Sequence, residues 1–290
     1  MLEHIVVIWY VLLGLIVGSF LNVVIYRFHT GKSLEGRSHC MSCGHTLSWK
    51  CLFPVVSYMA LRGRCRYCSA HISPRYLMVE VLTGALFGFV AYVIQDPLLR
   101  ALYLCLAIIF VLISVYDVLH TIIPDEFVIA FSVCAALISG IHYLYAPDTY
   151  ELLLRVLGGA SASLFFYVLW LVSQGRWIGL GDAKLALPLG IIASWPASVS
   201  MVVFSFWIGA GISVSLVCLA WVIKRIRTYI ESLPYQSRIV RSTEALRKRF
   251  HCARMGLTMK SEIPFAPFLL AGFCVAHFLG ISVFDVMLSF

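Results

Sequence analysis

Charged residues are scarce in this sequence, and their scarcity excludes an ordinary water-soluble domain. Asp, Glu, Lys and Arg make up 12% of the 290 residues, and 61% of the residues are hydrophobic. Soluble globular domains contain about 25% charged residues. The sequence also lacks internal repeats and low-complexity tracts. Because a chain this apolar cannot cover its surface in water, the composition predicts an integral membrane protein.

Long apolar stretches predict the fold class. Most are near the ~20 residues that a helix needs to cross a bilayer. Helices are expected because backbone exposed to lipid must satisfy its own hydrogen bonds. We therefore predict an all-α polytopic membrane protein with about eight transmembrane helices. The stretch at 183–195 fits least well, because it is short and contains Pro188. The eight stretches are residues 5–26, 77–94, 98–116, 122–145, 152–173, 183–195, 199–223 and 264–289.

The first apolar stretch lacks the features of a cleaved signal peptide. Residues 1–8 contain no lysine or arginine, and the stretch ends in Gly18-Ser19-Phe20-Leu21-Asn22 rather than in a small-residue cleavage site. We expect this stretch to be a retained helix.

Basic residues are concentrated in two segments, which predicts the topology. Residues 27–75 contain eight lysines and arginines, and residues 224–262 contain ten. With eight helices and the N-terminus outside, these eighteen lie on one side together with Arg176 and Lys184. The positive-inside rule makes this side the cytoplasm. Since topology explains the charge, nucleic-acid binding is not expected. Segment 224–262 is also a candidate for binding anionic lipid.

Four of the ten cysteines form two C-x-x-C pairs in the first basic segment. They are Cys40, Cys43, Cys65 and Cys68, with twenty-one residues between the pairs. This pattern is typical of a tetrahedral Cys₄ zinc site, and four thiolates leave no open position, so the metal is expected to be structural. Two disulfides are an alternative that a reducing cytoplasm opposes. A redox-active C-x-x-C is another alternative, and it would need only one pair.

Two acidic residues stand at predicted cytoplasmic helix ends. Asp117 closes the third apolar stretch, and Asp182 opens the sixth within Gly179-Leu180-Gly181-Asp182. Acidic residues at membrane spans are costly and are therefore functional candidates. Two carboxylates brought together share a proton, so one acts as base on a water while the other acts as acid. Gly179 and Gly181 would let a substrate backbone approach. The alternative is a pair of interfacial charges, one of them paired with Lys184.

Several motifs occur in order along the chain. They are Gly18–Arg27, the paired cysteines, Leu61–Cys65, Ile72–Tyr76, Asp117 with Ile123-Pro124-Asp125, Gly179–Asp182 and Pro264–Leu269. With these motifs the sequence resembles the bacterial type IV prepilin peptidases, which are leader peptidases and N-methyltransferases. The likeness covers nearly the whole chain, although Met41 and Leu77 stand where that family commonly has proline.

The resemblance implies a membrane aspartic endopeptidase of the bacterial inner membrane. Such enzymes remove the short basic leader of type IV prepilins or pseudopilins, in pilus assembly or type II secretion. Asp117 and Asp182 would be the catalytic pair, and Gly179, Gly181 and Lys184 would contact the substrate. Many members then methylate the new N-terminal amine with S-adenosylmethionine.

The methyl donor is expected near the zinc loop on the cytoplasmic face. The candidate contacts are Asn22, Arg27, Gly63, Arg75 and Glu80. Arginines suit the donor's carboxylate, and a carboxylate could hold the substrate's new ammonium. Alternatively, the arginines anchor helix ends by snorkelling, and Asn22 bonds a neighbouring helix.

The predicted organisation has two parts. Residues 1–94 form a helix pair that carries the zinc loop (28–75) and the methyltransferase region. Residues 98–290 form a six-helix peptidase core with the basic loop 224–262. Three other functions are alternatives: a relative of signal-peptide peptidase and presenilin, a thiol redox partner, and a non-enzymatic transporter or channel with a regulatory zinc loop. The first lacks the cysteine loop, and a transporter would place ionisable residues near mid-membrane.

Overall fold

The protein is almost entirely helical in the computed structural model, which describes residues 2–28, 36–232 and 264–288. In these ranges the only β-structure is two isolated bridges, so the all-α prediction is confirmed. The helices are α1 (Leu2–Arg27), α2 (Val56–Ala60), α3 (Arg75–Val93), α4 (Pro97–His120), α5 (Asp125–Tyr145), α6 (Thr149–Ser173), α7 (Leu180–Ala193), α8 (Ala197–Ser232), α9 (Ala266–Phe273) and α10 (Val283–Leu288).

Six of these helices are long and apolar enough to cross a bilayer, namely α1, α3, α4, α5, α6 and α8. The chain is therefore a multi-pass membrane protein. Helix α7 has 14 residues and is about 21 Å long, less than the ~30 Å of hydrocarbon in a bilayer. The total of eight spans stays a prediction, with α7 and α9 as the two further segments.

The last apolar stretch does not form the single helix that its composition predicts. Helix α9 ends at Phe273 and continues as a π-helical turn over Cys274–Phe278. Gly280 then adopts a left-handed conformation with φ of +63°. A glycine in this conformation ends a helix because it carries no β-carbon. Helix α10 starts again at Val283.

Small residues allow two pairs of helices to approach closely. A β-carbon on Gly14 of α1 would lie 2.8 Å from the α-carbon of Gly84 in α3, and one on Gly158 of α6 would lie 2.6 Å from the Gly190 oxygen of α7. Such contacts let the backbones pack directly, as is typical of membrane helices. On its outer face α1 exposes apolar side chains such as Trp9, which suits contact with lipid.

The chain divides into two compact units. One comprises Met1–Ser205 with Pro264–Phe290, and the other comprises Phe206–Ile263. The candidate site residues all belong to the first unit. In the second unit the structure describes the helix as far as Ser232. Residues 233–262 of the predicted basic loop lie outside the described residues, and its lipid binding and the division at residues 94–98 stay predictions.

Candidate functional site

Asp117 lies in the last turn of α4, and its side chain is buried. Its Oδ2 atom accepts a hydrogen bond from the backbone N–H of Ala266, at an N···O distance of 3.1 Å. Ala266 is the first residue of α9, where N–H groups have no partner within the helix and the helix dipole favours a carboxylate. The motif Pro264–Leu269 is thereby held against Asp117.

Asp182 lies in the first turn of α7 and is also buried. Its backbone N–H bonds the Gly179 oxygen at 3.2 Å. Its Oδ1 atom is buried without a hydrogen-bond partner among the described residues. The charge of Asp117 acts on the Asp182 carboxyl group, so the two acids lie within electrostatic reach of each other. The structure thus brings together two carboxylates that are sixty-five residues apart in sequence.

The packing of α7 explains this meeting. Helices α5 and α9 each pack against both α4 and α7, and Ser163 of α6 donates a hydrogen bond to the Ala183 oxygen at 2.9 Å. A β-carbon at Gly181 would lie 3.0 Å from Cβ of Ile123, in the connection between α4 and α5. Glycine at 181 therefore lets the start of α7 approach the end of α4. Gly179 is open instead, because its β-carbon would meet only ordinary contacts.

Lys184 forms an ion pair with Asp125, the first residue of α5. Its Nζ lies 2.7 Å and 2.9 Å from the two carboxylate oxygens, and both side chains are exposed. The alternative in which Lys184 pairs with Asp117 or Asp182 is not found in the part of the chain described, where Lys184 pairs with Asp125. The role of Lys184 in substrate binding stays a prediction.

Each C-x-x-C pair sits in a tight turn, and the two turns are built alike. In the first turn, the N–H of Cys40 donates to the His45 oxygen and the N–H of Gly44 donates to the Cys40 oxygen. In the second turn, the N–H of Cys65 donates to the Ala70 oxygen and the N–H of Ser69 donates to the Cys65 oxygen. The fifth residue of each turn is left-handed, with φ of +69° at Gly44 and +58° at Ser69. This repeated geometry directs the two thiols of each turn into a single cluster of four.

The four sulfur atoms fit a tetrahedral metal site. All lie within 4.8 Å of one another. The Sγ atoms of Cys40 and Cys68 are 3.8 Å apart, and Zn–S bonds of about 2.3 Å at tetrahedral angles require roughly 3.8 Å. The described cysteines are free thiols, so the disulfide alternative is not found. The cluster can hold a metal ion through four ligands.

Backbone contacts also prepare one of these thiols for a metal. Hydrogen bonds from the backbone at Cys43 and Ser42 lower the pKa of Cys40 to about 6. The Ala70 backbone acts to lower the pKa of Cys68, but desolvation and hydrogen bonds with the other three thiols together raise it to about 11. Four crowded thiols cannot all ionise by themselves, and a bound cation would neutralise their charge.

A cavity of about 810 Å³ lies between the cysteine turns and the ends of α1 and α3. This volume falls in the range usual for ligand pockets. Four of the five residues predicted to bind a methyl donor line it, namely Asn22, Arg27, Arg75 and Glu80. Gly63 does not line it, but its β-carbon would lie 2.9 Å from Oη of Tyr58, which does.

Asn22 and Glu80 are hydrogen-bonded within the protein. The Asn22 amide donates to the Tyr76 oxygen at 3.1 Å, so it joins α1 to α3 as the structural alternative proposed. Glu80 is buried and accepts a hydrogen bond from the Val55 N–H at 2.8 Å. Arg75 lies over the ring of Tyr76, with 5.5 Å from its guanidinium carbon to the ring centroid.

Sequence reasoning missed two backbone contributors to these sites. Pro264 and Pro267 mark a helix start and hence unpaired N–H groups near Ala266, but they do not indicate that Asp117 is the partner. The Val55 N–H on Glu80 had no such signal, because the turn that carries it is set by tertiary contacts.

Two family models match the chain. The bacterial peptidase A24 N-terminal domain matches residues 12–94, and the type IV leader peptidase family matches residues 104–214. No solved structure matches the chain.

Curated relatives match along most of the chain. A Myxococcus xanthus protein is 35% identical over 70% of this chain and 60% of its own length. A Klebsiella pneumoniae protein is 32% identical over 63% of this chain and 83% of its own length. A Pseudomonas aeruginosa protein is 32% identical over 69% of this chain and 77% of its own length. The chain thus spans less than two thirds of the Myxococcus protein. All three are named prepilin leader peptidase/N-methyltransferase. On these matches and the motifs above, the chain belongs to the type IV leader peptidase family.

Proposed function

We propose that this protein is a membrane aspartic endopeptidase that removes the leader of type IV prepilins or pseudopilins at the cytoplasmic face of the bacterial inner membrane. The observation that carries the proposal is the pair of buried carboxylates, Asp117 and Asp182. The name that the relatives share supports the substrate class.

The proposed cleavage uses water as the nucleophile. Two carboxylates within electrostatic reach cannot both ionise cheaply, so the pair shares one proton. The ionised member takes a proton from a water molecule, whose oxygen attacks the scissile carbonyl carbon, while the protonated member donates its proton to the carbonyl oxygen. The C–N bond then breaks as the nitrogen takes up a proton, which leaves a carboxyl group on the leader and a free amine on the pilin.

The residues around the pair have distinct proposed roles. Gly179 leaves room for a substrate backbone beside Asp182, because no neighbour crowds the position of its missing side chain. Gly181 positions Asp182 by its contact with Ile123. Lys184, held at the surface by Asp125, is a candidate contact for the leader.

We further propose that the cavity beside the cysteine turns binds S-adenosylmethionine, which supplies the methyl group for the new amine. Arg27 and Arg75 would hold its carboxylate through parallel hydrogen bonds. Glu80 would hold the substrate's ammonium and accept its proton before methyl transfer. The four cysteines would bind one structural zinc ion that folds the loop around this cavity.

The rival functions explain fewer of these features. In a transporter or channel, ionisable residues would gather near mid-membrane, whereas Asp117 ends a helix and Asp182 begins one. A redox-active C-x-x-C needs one pair, whereas here both pairs converge.

The proposal is tested by incubating the purified protein with a purified prepilin in detergent and identifying the products by mass spectrometry. We expect a free leader and a mature pilin cut at one site. A substrate mimic with a hydroxyl-bearing, uncleavable bond should block the reaction, while serine- and cysteine-directed inhibitors should not. No cleavage, or cleavage stopped by a serine-directed reagent, would contradict the proposal.

A further inference from the structure

The loop between the two cysteine turns carries an exposed apolar surface. Trp49, Phe53, Val56 and Met59 are 67%, 55%, 62% and 68% exposed. They lie on the 3₁₀ turn Trp49–Cys51, on α2 and on the link between them. Tyr58, also on α2, instead lines the cavity and donates a hydrogen bond to the Ile72 oxygen at 3.3 Å. The four exposed side chains, which we term the loop patch, are thus left largely uncovered by the rest of the loop.

The anchor of this loop lies within the length of two helices that can each cross a bilayer. Val55 donates its N–H to Glu80, which is five residues inside α3 and so about 7 Å from the helix start along its axis. The backbone of Glu80 packs against Gly18 of α1, nine residues or about 13 Å before that helix ends. Both helices are long enough to cross the bilayer. Val55 is thus bonded to the side chain of a residue that lies inside the ends of both helices, rather than at their last residues.

The backbone at this anchor is strained, which shows that the position is enforced by its contacts. Val55 has φ of +60° and ψ of −52°, a region that β-branched residues rarely adopt. Residues held in this way persist only when their surroundings fix them. The hydrogen bond to Glu80 is such a contact.

Composition also matches a bilayer interface. Tryptophan is enriched at the headgroup level of membranes, and Lys50 lies over the Trp49 ring at 5.6 Å from its centroid. Residues 36–75 contain six lysines and arginines and no acidic residue, so the surrounding surface attracts anionic headgroups.

From anchor position, exposure and charge together we infer that the loop patch, Trp49, Phe53, Val56 and Met59, inserts into the cytoplasmic leaflet between anionic lipid headgroups. The loop is then held at the membrane from two sides, by Glu80 and by lipid. This inference is independent of the catalytic proposal.

Depth-dependent quenching tests the inference. An environment-sensitive fluorescent amino acid is placed at Met59 of the full-length protein in nanodiscs that contain anionic lipid, with Arg66, an exposed residue of the second cysteine turn, as the matched control. Spin-labelled lipid with its nitroxide high on the acyl chain should quench the probe at position 59 at least threefold more than the probe at position 66. Metal content of both labelled proteins verifies that the loop is folded.

A second position guards against a local disturbance by the label. The tryptophan fluorescence of the unsubstituted protein minus that of W49F gives the signal of Trp49 without any label. This difference is measured in ordinary lipid and in brominated lipid, whose bromine atoms quench a tryptophan that they contact. Equal and weak quenching at positions 59 and 66, or no bromine effect on Trp49, would overturn the inference. Photocrosslinks from position 56 to a prepilin instead of lipid would also overturn it, because a protein partner would then cover the patch.

Discussion

At the scale of single residues, the two cysteine turns have different residues at equivalent left-handed positions. Gly44 and Ser69 each follow the first cysteine of a pair by four residues, and both are left-handed. Glycine adopts this conformation freely, whereas a residue with a β-carbon has a cost of about 1 kcal/mol or more. The second turn therefore tolerates a strain that the first avoids.

We predict that Ser69→Gly stabilises the second turn by about 1 kcal/mol, because it removes this strain. Backbone amides of residues 63–72 should exchange with deuterium about fivefold more slowly, as measured by mass spectrometry on protein with its metal bound. The matched substitution Gly44→Ser should speed exchange in the first turn. Faster exchange in Ser69→Gly would contradict the argument.

At the scale of elements, two features position the candidate site residues: the loop that joins α1 to α3, and the packing of α7 against its neighbours. In the loop, four sulfur atoms converge from two separate turns. At α7, one glycine contact sets the approach of Asp182 to Asp117. Each feature can be disturbed separately.

Removing one sulfur ligand should remove the metal. We expect about one zinc ion per chain in the purified protein and little in Cys40→Ser or Cys65→Ser, since a structural zinc needs all four ligands. Elemental analysis measures the content. Cys51 lies in the same loop but outside the cluster, so Cys51→Ser serves as the control. Full zinc content in Cys40→Ser would show that the ion binds elsewhere.

A larger side chain at Gly181 should displace Asp182. Valine there would press on Ile123, and a shift of about 1 Å at a catalytic group costs roughly a hundredfold in rate. We expect Gly181→Val to lower prepilin cleavage by at least tenfold, in an assay at matched protein levels. Gly140→Val is the control, because its position is open. Unchanged cleavage by Gly181→Val would show that the contact of Gly181 with Ile123 does not position Asp182.

At the scale of the whole molecule, the two proposed activities use different parts of the chain. The aspartates lie on α4 and α7, and the cavity lies between the cysteine turns and the ends of α1 and α3. Leader removal and methyl transfer should therefore be separable.

We predict that Glu80→Gln cleaves prepilin but leaves its new amine unmethylated. Glutamine can still accept the hydrogen bond from Val55 through its amide oxygen, but it cannot hold an ammonium ion by charge or remove its proton. Mass spectrometry of the mature pilin N-terminus distinguishes the products. A methylated product from Glu80→Gln would rule out this role for Glu80. An unmethylated product from the unsubstituted enzyme would limit the protein to peptidase activity.

Much of this arrangement was predictable from sequence, because the determining signals are local. Eight apolar stretches were predicted to span the membrane, and six of them form long helices; cysteine spacing predicted the four-sulfur cluster. The break at Gly280 was not predicted, since the surrounding residues remain apolar. The contacts of Ala266 with Asp117 and of Val55 with Glu80 depend on which helices meet in space. No periodicity or spacing encodes such meetings.

The central claim is that Asp117 and Asp182 act together as the catalytic pair, and single substitutions by asparagine test it most directly. Asparagine keeps the size of the side chain but cannot exchange a proton as an acid or base does. The exposed acid Asp125, converted to Asn, is the matched control. Initial rates of prepilin cleavage should be measured on purified proteins with equal zinc content and thermal stability.

Asp117→Asn and Asp182→Asn should each lower the cleavage rate by roughly a hundredfold to ten-thousandfold. The rate of Asp125→Asn should stay within a few-fold of that of the unsubstituted enzyme. Cleavage near the unsubstituted rate by either Asp117→Asn or Asp182→Asn would contradict the account.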